Sequence, residues 1–76
     1  MHINTDLMAA LVPGARLRLD YGAGNPSNEL RHIRAIVDDK YVVYKVWRPG
    51  HRRWEYQVAH VYAFHLAWEG GDLKIA

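Results

Sequence analysis

The chain has no cysteine, and only one serine, one threonine and one phenylalanine among its 76 residues. The missing thiols exclude a disulfide framework and thiolate chemistry. Hydroxyl nucleophiles are equally scarce: Thr5 falls in an N-terminal cap and Ser27 in a Gly/Asn/Pro loop, so triad-type hydrolysis is not expected. No apolar run approaches the ~20 residues of a membrane helix. Asp6 interrupts the first apolar stretch and Pro13-Gly14 ends it, which argues against a secretory leader and for a cytoplasmic protein without a membrane partner.

Charge of one sign is also in short supply. Ten Lys and Arg against eight Asp and Glu leave a formal net charge of +2. The one adjacent acid pair, Asp38-Asp39, has the composition of a tight turn, so paired-carboxylate catalysis is not expected either. Gly22-Ala23-Gly24 lacks the helix and Lys-Ser/Thr pair of a phosphate-cradling loop. His60 and His65 are five apart, whereas metal pairs on one helix face are usually three or four apart. No metal, no cofactor and no catalytic residue is expected.

What the chain does have is apolar surface: 50% of residues are hydrophobic and 12% aromatic, enough for one small globular domain over 1–76. A chain of this size buries only about 60% of its extended surface, so tight packing or self-association must supply the rest. Residues 1–14 read as a cap. Thr5 is a candidate N-cap for a helix over 5–12, with Leu7, Met8, Leu11 and Val12 on one side.

From residue 15 the period changes to two, and residues 15–76 read as a small β-barrel. Leu17, Leu19 and Tyr21 alternate with Arg16, Arg18 and Asp20, the pattern of a strand with one dry face. Residues 22–28 are rich in turn formers and form a loop. Strands are expected at about 15–21, 31–38, 41–48, 52–59 and 72–75, with a helical turn at 61–68 stopped by Gly70-Gly71. A mainly β meander with this layout resembles an SH3-like small barrel of about five strands.

Two hairpins fix an expected register. A two-residue turn at Asp39-Lys40 pairs Val37 with Val42, and a three-residue loop Pro49-Gly50-His51 pairs Val46 with Trp54. The expected core is then Ile33, Ala35, Val37, Val42, Tyr44, Val46, Trp54, Tyr56 and Val58, joined by Leu17, Leu19 and Tyr21. The other face holds Lys45 opposite Glu55, Trp47 opposite Arg53 and Val43 opposite Gln57, with Ile36, Arg34 and His32 on the neighbouring strand.

Residues 45–54 carry four of the ten Lys and Arg and no neutralising neighbour before Glu55. Trp47 beside Lys45, Arg48, His51, Arg52 and Arg53 makes a surface on which a base can stack while guanidinium groups reach phosphates. The leading expectation is therefore a non-enzymatic binding module whose basic-aromatic hairpin contacts nucleic acid or another anionic surface. An alternative is a protein-interaction module, homodimeric and of phage or mobile-element type, such as an inhibitor of a host or defence protein. It would use Ile36, Val43 and Trp47 as an apolar face. A third is a small-ligand or enzyme site formed between subunits. The layout is similar to that of the type II plasmid dihydrofolate reductases, which catalyse in a tetramer pore. Their Val-Gln-Ile-Tyr signature is missing, the nearest text being Tyr56-Gln57-Val58-Ala59, and no residue role carries over.

Overall fold

A computed structural model of the chain describes residues 2–76. The elements run α1 (Thr5–Ala10), β1 (Arg16–Leu19), β2 (Glu29–Val37), β3 (Tyr41–Arg48), β4 (Arg53–His60), α2 (Val61–Glu69) and β5 (Leu73–Ile75). The five strands form one antiparallel sheet in the order β4-β3-β2-β1-β5. The mainly β layout expected from the sequence is present, and the sheet is open. Among the described residues no helix is long and apolar enough to cross a membrane.

Both helices lie on one face of the sheet, and the core sits beneath them. Leu7, Val61 and Phe64 from the helices meet Leu17, Leu19, Ile33, Val42, Tyr44, Val46 and Leu73 from the strands. Complete burial of a Leu or Phe side chain contributes roughly 1.5–3 kcal/mol, and Leu7 and Phe64 are both fully buried. Local sequence starts and stops the helices. Asn4, not Thr5, caps α1: its side-chain oxygen accepts from the Leu7 N–H at 3.1 Å. His60 caps α2 through Nδ1, which accepts from the Tyr62 N–H at 3.0 Å, and Gly71 ends it at φ +80°.

The two central hairpins depart from the expected register, each by one residue. In the first, Asp38 and Asp39 both sit at φ +54°, the Lys40 N–H donates to the Val37 carbonyl at 3.0 Å, and Val37 pairs with Tyr41. A bulge between Ile33 and Ala35 then absorbs Arg34. The extra residue reverses the face parity, so Ile33 and Ile36 both turn toward the core while Ala35 and Val37 turn away.

In the second hairpin the loop has four residues, 49–52. The His51 N–H closes on the Arg48 carbonyl at 3.1 Å, and Arg52 turns the chain at φ +51°. β4 is thereby slid by one, so Trp47 faces Trp54, Lys45 faces Tyr56 and Val43 faces Val58. Trp54, Tyr56 and Val58 leave the expected core and are 43%, 62% and 64% exposed; Tyr21, beyond the end of β1, is 49% exposed. The slip is tolerated because β4 alone bears it. Lys45 stays outside, and the polar residues brought inward find partners. The Tyr44 hydroxyl donates to Gln57 Oε1 at 2.8 Å, and Gln57 Nε2 donates to Glu55 Oε1 at 2.7 Å. No buried polar side-chain atom is left unpaired among the described residues.

Candidate functional site

The face of the sheet away from the helices carries the unusual chemistry. Because directly opposed residues share a face, Arg16, His32, Lys45 and Tyr56 form one row across β1, β2, β3 and β4. Next to it stand the pairs Arg18 with Lys74 and Trp47 with Trp54. Toward the other end lie Ala35, Val43 and Val58, then Val37, Tyr41 and His60. The carboxylates within the strands, Glu29 and Glu55, point to the opposite face, since they oppose the core residues Leu19 and Val46. Within the strands the outer face is therefore aromatic and cationic, and Asp20, next in alternation after Arg18, accepts from the Gly22 N–H, although the chain as a whole is only weakly basic.

The aromatic groups are packed edge to face. Trp47 and Trp54 have ring centroids 5.4 Å apart at 69°, and His32 and Trp54 are 4.9 Å apart at 80°. Lys45 Nζ lies 4.3 Å from the centroid of the Trp54 ring. This geometry fixes the indoles as a wall and leaves each of them nearly half exposed. Burial, with Lys45 and Arg16 nearby, lowers the His32 pKa below its ordinary value, so the imidazole is neutral at physiological pH.

The 22–28 loop turns this end of the face into a cleft of about 480 Å³. Pro26 and Asn28 from the loop, Trp47, Arg48, Pro49 and Trp54 from the β3–β4 hairpin, and Arg18, Glu29, Leu30 and His32 from β1 and β2 line it. The loop is held by its own polar side chains. Asn28 Oδ1 accepts from the Tyr21 N–H at 2.7 Å and its Nδ2 donates to the Gly22 carbonyl at 2.8 Å. Asp20 and Asn25 cap the Gly22 and Ser27 N–H groups, each at 2.8 Å.

Of the residues singled out from the sequence, Lys45 and Trp47 stand on this face, and His51 and Arg52 are exposed in the adjoining loop. Arg48 and Arg53 alternate to the helix side, and Arg48, at the end of β3, also borders the cleft. Arg48 is tied there to Glu29 at 3.3 Å and to Glu55 at 3.6 Å. Of the expected apolar face, Val43 and Trp47 are outward but Ile36 packs against the core, which breaks that line of three. His32 is on this face as expected, and Arg16, Arg18, Trp54 and Lys74 join it without being among the residues expected at the site. The alternation of Arg16 and Arg18 with Leu17 and Leu19 already marked two of them as outward; what joined them to Trp47 was the loop length, which composition does not fix.

Two further histidines have structural roles: His60 caps α2, and His65 Nδ1 accepts from the Asn4 N–H at 3.1 Å. Among the described residues no three His, Asp or Glu side chains converge as a metal-binding group. No family model, no curated protein and no solved structure matches the chain.

Proposed function

We propose that the protein is a non-enzymatic binding module that takes single-stranded nucleic acid across the outer face of its sheet. One observation carries this reading: Arg16, Arg18, Lys45 and Lys74 share that face with Trp47 and Trp54, and both strand carboxylates are on the other side. None of the four cations has an ion-pair partner among the described residues. Unpaired cations supply phosphate contacts, and exposed indoles supply stacking that any base can use. A broad sheet face also suits splayed single strands better than a duplex, whose grooves admit a helix or a narrow ribbon.

The test is fluorescence anisotropy with labelled single strands and duplexes of about 12 nucleotides, within the usual range of site sizes. Single strands should bind at about 50 mM salt and lose affinity steeply by about 200 mM. Trp54→Ala should cost roughly 1–3 kcal/mol of binding, the usual loss for one stacking platform. Absence of binding at low salt, or binding indifferent to both Trp54→Ala and Lys45→Ala, overturns the reading.

A second reading, self-association, is favoured by the other end of the same face. Val37, Tyr41 and Val58 are 44%, 45% and 64% exposed there, with no cation among them and Val43 between. Sedimentation at micromolar concentration tests it. A dimer that Val58→Lys dissolves supports this reading, and a monomeric wild type ends it.

A further inference from the structure

We infer that the cleft between the 22–28 loop and the β3–β4 hairpin binds one nucleoside 5′-phosphate unit, with its base against the Trp47/Trp54 wall and its phosphate on Arg18. The inference rests on the nucleic-acid reading of the outer face and narrows it to one position.

Shape is the first ground. A volume of about 480 Å³ lies within the range of small-molecule sites, about 300–1,000 Å³. Its lining includes planar groups: two indoles packed edge to face at 69° and the ring of Pro26. Such a slot selects a planar body. It is also formed in advance, because both polar groups of Asn28 are spent on holding the loop, so little ordering is left for the ligand to impose.

Charge is the second ground. Arg18 and Lys74 stand directly opposite each other across β1 and β5. Like charges so placed destabilise a sheet, and among the described residues neither is ion-paired to a carboxylate within 4.0 Å. An anion bound at Arg18 relieves that repulsion. Glu29, which also borders the cleft, does not compete, because Arg31 at 2.9 Å and Arg48 at 3.3 Å hold its carboxylate. A planar group and a phosphate within one cleft describe a nucleotide. Neutral His32 adds one donor and one acceptor for the edge of the base.

The experiment is a heteronuclear NMR titration of the full chain with AMP and UMP, with adenosine and uridine, and with inorganic phosphate, followed by competition with a single-stranded oligonucleotide. Saturable shifts of the Trp47 and Trp54 indole N–H and of His32 are expected with the nucleotides. The nucleosides and inorganic phosphate should each bind at least about tenfold more weakly, and Arg18→Gln should remove the advantage of nucleotide over nucleoside. Inorganic phosphate binding as well as AMP, or shifts that avoid these residues, overturns the inference. If the oligonucleotide binds and the nucleotides do not, the cleft assignment falls while the wider reading stands. If nucleotides bind and the oligonucleotide fails to displace them, the cleft stands as a site for the free nucleotide and the wider reading falls. If nothing binds, both fall. The comparison among ligands uses wild-type protein, so it does not depend on how the variant folds.

Discussion

Trp47 and Trp54 stand directly opposite each other across the β3–β4 ladder, their ring centroids 5.4 Å apart. An edge-to-face aromatic pair of this kind is worth about 0.5–1.5 kcal/mol beyond the area it buries. A double-mutant cycle with Trp47→Ala and Trp54→Ala, read by urea unfolding, should therefore return a coupling in that range. Additive losses would mean that the register drawn from the four-residue loop is wrong, because a three-residue loop places Arg53 opposite Trp47.

Arg31 is held against two rings of the fold. Its guanidinium carbon lies 4.8 Å from the Tyr44 ring centroid and 5.0 Å from that of Phe64, and its Nε is 2.9 Å from Glu29. Only 16% of either partner's side chain is exposed. Arg31→Ala strips the rings of their cover and leaves Glu29 with the weaker Arg48 contact, so a loss of about 2–4 kcal/mol in urea unfolding is expected. Arg31→Lys should recover less than half, because an ammonium lacks the flat face that covers both rings. Full rescue by lysine would show that charge alone matters here.

The residues legible in advance were those whose environment depends on one strand alone. Leu17 and Leu19 against Arg16 and Arg18 needed only alternation, and β3 from Tyr41 to Arg48 was bounded by the two turns. The errors all arise where two strands must be counted against each other. Ile36 was placed outside because nothing local marks Arg34 as a bulge, and Trp54, Tyr56 and Val58 were placed inside because a loop of three or four residues serves the same composition. Apolar character misled as well. β4 carries its aromatic residues on the exposed side and Glu55 and Gln57 on the side of the core, where they pair with Arg48 and Tyr44. For a strand whose exposed side is the aromatic one, hydrophobicity is not a guide to burial. That inversion is also why Trp54 is absent from the expected site.

The first hairpin stores a correctable strain. Asp38 and Asp39 both adopt φ +54°, a conformation that costs an L residue roughly 1–2 kcal/mol and that Asn-Gly satisfies best at these two positions. Replacing Asp38-Asp39 by Asn-Gly should raise stability by about 1 kcal/mol, while Asp39→Val should lower it by a similar amount or more. Thermal unfolding measures both. If Asn-Gly is neutral or harmful, the left-handed pair is not the native turn.

His32 makes stability depend on pH in one direction. Its folded pKa lies below the ordinary histidine value of 6.5, chiefly through burial and then through the charges of Lys45 and Arg16. The unfolded chain therefore binds the proton first as pH falls. This contribution to stability is intact above 6.5 and is lost as pH drops from there toward the folded pKa. His32→Gln removes the titration, so the difference in unfolding free energy between wild type and variant should change over that window and level off on either side. Lys45→Met takes away one of the charges that hold the pKa down, so it should move the folded pKa of His32 upward in an NMR titration and narrow the window. A wild-type stability that is flat between pH 7 and pH 5 relative to His32→Gln, or a His32 that titrates above its ordinary value, would mean that the imidazole does not sit between the Arg16 and Lys45 charges as the row across β1, β2 and β3 requires.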